Sequence, residues 1–156
     1  MGQKITPFLW FDNQAEEAAN FYVSVFKNSE VLEVNRYEGG PGEPGTVVVV
    51  SFRLDGQEVR ALNGGPEFKF TEAFSFQIDC EDQAEVDYFW GKLVEGGEPS
   101  QCGWLKDKYG LSWQVVPRRL IELLGDPDRA KANRVMQAML QMGMIDVAEL
   151  EVAAAG

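Results

Sequence analysis

The sequence contains no histidine among its 156 residues. This absence excludes Ser-His and Cys-His nucleophile pairs, imidazole-based metal sites and the usual proton shuttle at neutral pH. Cysteine is almost as scarce, and its two copies, Cys80 and Cys102, lack the close spacing of redox and zinc motifs. We expect two reduced, partly buried thiols, with a disulfide or a catalytic pair as the alternative.

Basic residues are also scarce. The chain carries 25 acidic residues against 14 basic ones, which gives a net charge of −11. Nucleic acid and anionic membrane surfaces repel such a chain, so neither is an expected partner. No apolar run approaches the ~20 residues of a membrane-spanning helix, and no signal-peptide pattern opens the sequence. We expect a soluble cytoplasmic protein, with 45% hydrophobic residues available for a core.

What the sequence does have is one prominent stretch, CGWLKDKYGLSWQVVP at residues 102–117. Two apolar runs flank a polar turn at 106–110 that ends in glycine, which is the pattern of a β-hairpin. In the second run apolar and polar residues alternate, so Gln114 lies in the middle of a strand. An amide at such a position either is buried with a partner or lines a cavity.

The rest of the chain repeats one pattern. An apolar strand at 5–11 leads into a helix that Asn13 is predicted to cap, with Glu16 completing a capping box. The strand AFSFQID, which starts at Ala73, leads into a second helix that Asp82 is predicted to cap. The helix starts NQAE and DQAE correspond, and three strands follow each helix. We therefore predict a tandem duplication of a βαβββ module.

The predicted modules occupy residues 1–64 and 73–117, and helices occupy 118–156, all within one structural domain. In the helical part, Asp126-Pro127 predicts the start of a helix that runs to about Met142. Asp146 is predicted to cap a last short helix.

A glycine-rich loop at 39–45 raises the possibility of a phosphate cradle. Such a cradle needs a helix N-terminus directly after the loop, but the strand TVVVVSFRL at 46–54 follows instead. We predict a hairpin loop here, and a tight turn at Asp55-Gly56 before the returning strand.

Polar residues on the predicted inner strand faces could contact a ligand. The candidate set is Asn63, Ser75, Gln77, Trp104 and Gln114. No titratable group with an obvious partner falls on these faces, so no catalytic residue is assigned and enzymatic activity stays an open question.

The chain resembles the vicinal oxygen chelate superfamily, also called the glyoxalase, bleomycin-resistance and dioxygenase fold. The resemblance is closer to its PhnB-like branch, which is often labelled 3-demethylubiquinone-9 3-methyltransferase-like. The segments that carry it are ITPFLWFDNQAEEAANFY near the start, ALNGGP at 61–66, CEDQAEVDYFW at 80–90 and GWLKDKYGLSWQVVP at 103–117. The resemblance implies an α+β fold in which two βαβββ modules form a curled mixed-sheet cup around a ligand, usually in a homodimer.

The resemblance also bears on metal chemistry. In metal-using members of the superfamily, ligands lie on the first and last strands of the modules, and Gln114 falls where a glutamate ligand is usual. The other corresponding positions fall at about Ala73 and near Ile5 or Pro7, none of which can ligate. We therefore expect neither a metal nor a cofactor.

Three functions stay open at this point. The first is a binding protein that holds a small, mostly apolar molecule in a metal-free cup. The second is a metal-independent enzyme, such as one with 3-demethylubiquinone 3-methyltransferase-like activity. The third is a structural dimer with a filled barrel, in which Gln77 and Gln114 bond each other. The expected partners are a small-molecule ligand and a second copy of the chain.

Overall fold

The computed structural model describes residues 2–156. The chain forms two compact units, of which the first ends at Lys69 and the second is Phe70–Gly156. The order strand, helix, three strands occurs in both units, and three further helices follow in the second. The predicted α+β class, with two βαβββ modules, mixed sheets and C-terminal helices, is confirmed. Within residues 2–156 no helix is both long and apolar enough to cross a membrane.

The first unit is one mixed sheet with a helix packed on it. Its strand order is β1-β4-β3-β2, with β1 parallel to β4 and the other pairs antiparallel. The loop at 39–45 joins β2 to β3 as predicted, whereas β1 is shorter than the predicted 5–11. The elements are β1 (Phe8–Phe11), α1 (Ala15–Val25), β2 (Glu30–Arg36), β3 (Val47–Leu54) and β4 (Gln57–Asn63).

The turn between β3 and β4 is the tight hairpin that the sequence predicts. Asp55 and Gly56 both have positive φ, at 45° and 87°. Two consecutive residues in this region match the twist of antiparallel strands, and glycine adopts it without steric cost.

The core of the first unit lies between α1 and one face of the sheet. Alternate residues of the strands point to this face because side chains in a strand alternate in direction. Three alanines on the buried side of α1 let the helix approach the sheet closely. The fully buried residues of this core are Ala15, Ala18, Ala19, Tyr22, Val50, Phe52, Val59 and Ala61.

The start of α1 differs from the prediction. The N-cap is Gln14, without a side-chain capping bond, so Asn13 does not cap the helix. The cap is supplied from the end of β4, where Asn63 Oδ1 accepts a hydrogen bond from the Ala15 backbone N–H at 2.8 Å. Because β1 pairs in parallel with β4 and Phe11 lies opposite Asn63, the end of β4 reaches the first helical turn.

The second unit has the same sheet plan, with the order β5-β8-β7-β6 and β5 parallel to β8. β7 and β8 form the predicted hairpin within 102–117. The cap of α2 is also as predicted, since Asp82 Oδ1 accepts from the Glu85 backbone N–H at 3.0 Å. The elements of this module are β5 (Ser75–Cys80), α2 (Gln83–Val94), β6 (Glu98–Pro99), β7 (Trp104–Lys106) and β8 (Ser112–Pro117).

Three helices follow β8 and build a second core of their own. They are α3 (Arg118–Leu124), α4 (Arg129–Met139) and α5 (Val147–Ala155). They pack on one another and on the end of β8. The buried cluster consists of Val116, Leu120, Leu123, Val135, Met142, Ile145, Leu150 and Ala154.

The bounds of α4 correct the predicted start at Asp126-Pro127. The N-cap is Asp128, whose carboxylate accepts from the Lys131 backbone N–H at 3.2 Å. Asp126 instead accepts from the Asp128 backbone N–H at 2.8 Å, so its carboxylate is already used in a local turn. The helix ends at Met139 rather than Met142, because the backbone N–H groups of Gln141 and Met142 bond to carbonyls only three residues back, at 3.1 Å and 2.9 Å, and not four.

The cap of the last helix is as predicted. The Asp146 carboxylate accepts a hydrogen bond from the Glu149 backbone N–H at 3.2 Å. Gln83 of α2 makes two further hydrogen bonds at this point. Its Oε1 accepts from the Val147 backbone N–H at 2.7 Å, and its Nε2 donates to the Ile145 carbonyl at 3.0 Å. The start of α5 is therefore held by both a local and a distant side chain.

Candidate functional site

The two faces of the second sheet differ in chemistry. One face is apolar and carries Leu105, Trp113 and Val115, all of which are buried. The opposite face is polar, because each strand alternates and the strand register brings the polar residues of four strands together. We call this the polar face; it consists of Ser75, Gln77, Glu98, Trp104, Lys106, Ser112 and Gln114.

The polar face is organised as two adjacent rows across the strands. The first row crosses β5, β8, β7 and β6 in that order. Its residues are Ser75, Ser112, Lys106 and Glu98. The second row holds Gln77, Gln114 and Trp104. Hydroxyl and charged groups therefore lie beside a row of amides and an indole.

Four of the five predicted binding residues share this face, namely Ser75, Gln77, Trp104 and Gln114. Half-buried Gln114 donates through Nε2 to Ser75 Oγ at 3.0 Å. Exposed Gln77 donates through Nε2 to the Asp79 carboxylate at 2.9 Å. The two amide nitrogens therefore have different partners, unlike the mutual Gln77–Gln114 bond of the filled-barrel hypothesis.

The fifth predicted residue, Asn63, lies in the first unit. Its Oδ1 caps α1 at Ala15, and its Nδ2 donates to the Val47 carbonyl at 3.4 Å. Both ends of this amide are thus engaged within its own unit. A role for Asn63 in ligand binding stays a prediction.

The candidate set missed three residues of this face, Glu98, Lys106 and Ser112, and the buried one among them is Ser112. Only 1% of its surface is exposed. Within the described part of the chain, its Oγ is the buried side-chain polar atom left without a hydrogen-bond partner. The same alternation that singled out Gln114 also places Ser112 on the polar face, so the signal was present in the sequence.

A pocket of about 250 Å³ opens beside Ser112. At ~30 Å³ per water molecule, this is room for roughly eight waters or one small organic molecule. It is smaller than the ~300 Å³ at which sites for drug-sized ligands begin. Its lining is Glu72, Glu98, Pro99, Ser100, Trp104, Leu105, Lys106 and Ser112.

The charges of this pocket centre on Lys106, whose ammonium forms an ion pair with Glu72. Hydrogen bonding to Lys106 lowers the pKa of Glu72, and the same bond raises the pKa of Lys106. The negative charge of Glu98 raises the pKa of Lys106 further. Lys106 and Glu72 therefore both carry their charges at neutral pH.

The donor set around Gln114 does not fit a tightly bound divalent metal. Gln114 is surrounded on the polar face by amide, hydroxyl and indole groups, whereas such an ion needs several anionic or imidazole ligands. Across residues 2–156, no three His, Cys, Asp or Glu side chains come together as a metal site. The side chains around Gln114 therefore give no support to metal chemistry of the superfamily type.

Cys80 does not have the properties of a catalytic nucleophile. Its side chain is buried at the end of β5, and burial together with the charges of Glu85 and Asp79 raises the pKa of the thiol to about 12. A thiol in this state is not a nucleophile at neutral pH. The residues of the polar face itself supply hydrogen-bonding and charged groups.

Comparison with known proteins places this geometry in a family context. A family model described as 3-demethylubiquinone-9 3-methyltransferase matches residues 3–116. The PhnB protein from Bacillus cereus is 42% identical, and the similarity covers 74% of this chain and 99% of that protein, with a TM-score of 0.68. The family match runs from before β1 to Val116 within β8, so the three C-terminal helices lie outside it.

More distant solved structures share the fold. Protein PA1353 from Pseudomonas aeruginosa is 17% identical over 74% of this chain and 98% of its own, with a TM-score of 0.63. The fosfomycin resistance protein FosX from Listeria monocytogenes, in complex with Mn(II) and sulfate, is 14% identical over 80% of this chain and 96% of its own, with a TM-score of 0.54. No curated protein matches the sequence.

Proposed function

Because the chain belongs to the 3-demethylubiquinone-9 3-methyltransferase family, the PhnB-like branch of the vicinal oxygen chelate superfamily, we propose that it binds a small, mostly apolar molecule without a metal ion. The polar face supplies the polar contacts, and the ring of Trp104 supplies apolar surface. The observation that carries this proposal is that three predicted polar side chains share one sheet face with the indole of Trp104, which also lines a pocket of about 250 Å³.

The amide of Gln114 is the central contact in this proposal. Its nitrogen donates to Ser75 Oγ, which leaves the carbonyl oxygen to accept a hydrogen bond from a ligand. The Gln77 nitrogen is held by the Asp79 carboxylate, so its carbonyl oxygen is available in the same way. A neutral amide suits a ligand whose polar group is small, because it costs less to desolvate than a charged side chain.

A metal-independent enzyme is the second candidate, and the family description favours it. A methyltransferase activity of the 3-demethylubiquinone type would need a site for a methyl donor. The usual site combines a strand, a glycine-rich turn and a helix N-terminus in a parallel sheet. The glycine-rich loop of this chain, at 39–45, instead connects the antiparallel strands β2 and β3. We therefore place binding ahead of methyl transfer.

We further propose that the chain forms a homodimer. Both sheets have unpaired edge strands within their own units, β1 and β2 in the first and β5 and β6 in the second. Unpaired edges are commonly covered by another chain. The end of α4 adds apolar surface, since Met136 is 43% exposed and Leu140 is 45% exposed.

Native mass spectrometry of the protein purified from its own host tests the binding proposal. We expect a co-purified small molecule, and we expect Gln114→Leu to weaken its binding by about 1–3 kcal/mol while the melting temperature changes little. Gln57→Leu is the matched control, because Gln57 is exposed at the start of β4 in the first unit. A loss of stability in Gln114→Leu with binding intact would show that Gln114 belongs to a structural network and would contradict the site assignment.

A further inference from the structure

We infer that the pocket beside Ser112 receives the ammonium group of a small organic amine whose apolar body lies against Trp104. This inference rests on the proposed binding function and names the chemical class of its ligand. It follows from two features of the pocket, a buried hydroxyl and an excess of negative charge, and from the hydrogen-bond acceptors in the neighbouring row of the polar face.

The buried hydroxyl points to a missing partner. Ser112 is 1% exposed, and its Oγ has no hydrogen-bond partner in the described chain although it lines the pocket. Buried polar groups in folded proteins almost always have a partner, and leaving one unpaired costs free energy. A polar group of a ligand in the pocket would supply that partner. The hydroxyl can accept a hydrogen bond from an N–H group.

The charges of the lining favour a cation. Two carboxylates, Glu72 and Glu98, flank the single ammonium group of Lys106. A ligand with one positive charge would balance the pocket, whereas an anion would add to its excess negative charge. The net charge of −11 on the whole chain also favours the approach of cations over anions.

The remaining groups of the polar face present acceptors and an aromatic ring. The Gln77 and Gln114 amides both use their nitrogens within the protein, so their carbonyl oxygens are left to accept from a donor. Trp104 belongs to the same row as these two amides and also lines the pocket. An indole ring attracts a nearby cation through its π-electrons and offers a flat apolar surface to the ligand body.

Three probes that share one ring body test the charge of the ligand. Benzylamine is a cation at neutral pH, benzyl alcohol is neutral and benzoate is an anion. We would titrate each into the full-length, ¹⁵N-labelled chain and follow the backbone amide signals of Trp104, Lys106 and Ser112. We expect benzylamine to shift these signals with a dissociation constant at least tenfold lower than that of either other probe, and added salt to weaken its binding.

Two variants assign the contacts to named side chains. Glu98→Gln removes one carboxylate and should weaken benzylamine binding at least threefold. Ser112→Ala removes the buried hydroxyl and should weaken it about fivefold. Glu95→Gln is the matched control for Glu98→Gln, because Glu95 is exposed and lies outside the pocket lining, so it should leave the affinity unchanged. Since Glu98 is also exposed, its variant tests the pocket even if Ser112→Ala perturbs folding.

The outcomes separate this inference from the binding proposal. If benzyl alcohol or benzoate binds as tightly as benzylamine, the ammonium class is wrong although small-molecule binding on this face stands. If none of the probes shifts the Ser112 signal, the pocket assignment is wrong. If a co-purified ligand responds to Gln114→Leu but not to Glu98→Gln, the binding proposal survives and this inference is overturned.

Discussion

The indole N–H of Trp113 donates a hydrogen bond to the Asp107 carboxylate at 2.9 Å, and Asp107 is only 2% exposed. The other carboxylate oxygen accepts from the backbone N–H groups of Tyr109 at 2.8 Å and Leu111 at 3.1 Å. Three N–H donors thus compensate one buried negative charge, which would otherwise be very costly. The turn between β7 and β8 is fixed in this way, and with it the position of the strand that carries Gln114.

We predict that Asp107→Asn lowers the free energy of unfolding by about 1–3 kcal/mol. One amide oxygen can still accept from the backbone, but the new NH₂ group would face the Trp113 N–H donor. Urea denaturation should show this loss, and Asp12→Asn, a change at an exposed aspartate, should show none.

The Asp107–Trp113 pair can be isolated with a double-mutant cycle that adds Trp113→Phe. Because the two side chains share a hydrogen bond, we expect a coupling energy of about 0.5–3 kcal/mol. Strict additivity of the two single changes would contradict a direct interaction.

We predict that metal removal leaves the protein unchanged. The amide, hydroxyl and indole groups around Gln114 are weak ligands for a divalent ion. The free energy needed to desolvate the ion would exceed the free energy gained from these contacts. Dialysis against a chelator should therefore leave the melting temperature unaltered. Elemental analysis of untagged protein should find no stoichiometric zinc, iron, nickel or manganese. A stoichiometric metal whose loss lowers the melting temperature would refute the prediction.

We predict weak or absent binding of S-adenosylmethionine, because the glycine-rich loop at 39–45 is not followed by a helix. Titration calorimetry should give a dissociation constant above about 100 μM, which corresponds to a binding free energy weaker than about −5.5 kcal/mol. Tighter binding would favour the methyltransferase hypothesis over a binding protein.

We predict a homodimer at tens of micromolar, to be measured by light scattering. Deleting the helices from residue 127 onward is a poor test, because it would expose the apolar cluster around Val116 and Leu120. Changing the exposed pair Met136→Lys and Leu140→Lys together avoids this problem and should raise the dimer dissociation constant at least tenfold. Val152→Lys, at a 73% exposed apolar residue of α5, is the control and should not do so. A wild-type monomer at these concentrations would exclude the proposed dimer.

We predict that Cys80 makes stability fall at alkaline pH. Burial, together with the charges of Glu85 and Asp79, raises the pKa of the folded thiol to about 12. In the unfolded chain the thiol titrates near pH ~8.5. Between these values only the unfolded state loses the proton, so the free energy of unfolding falls as the pH rises, by up to ~1.4 kcal/mol per unit.

The comparison for this test is Cys80→Ala, because this variant lacks the thiol but keeps the other groups that titrate at alkaline pH. Urea unfolding at pH 8, 9 and 10 should give a steeper decline for the natural protein than for the variant. Equal declines in the two proteins would show that the Cys80 thiol is not protected by burial. Thiol reagents should also label half-buried Cys102 before Cys80.

The parts of the fold that local pattern determines were predictable. Alternating apolar and polar residues predict the hairpin within 102–117, since side-chain direction in a strand alternates with every residue. The Asp82 cap is likewise a matter of a few neighbouring residues. The failures at Asn13 and Asp126 have a common physical cause, because in each case another acceptor took the capping role. For α1 that acceptor is Asn63, which lies 48 residues away from Ala15.

The sequence by itself determined the order of the elements, the residues that share each strand face, and the lack of imidazole for metal or proton chemistry. Only the tertiary structure decided which polar groups on those faces have partners. The parallel pairing of β5 with β8 sets Ser75 beside Ser112, and Gln114 bonds Ser75 across 39 residues of sequence. Such pairings depend on strand register over long chain separations, which no local pattern encodes. For the same reason the unpartnered hydroxyl of Ser112 emerged only from the folded chain.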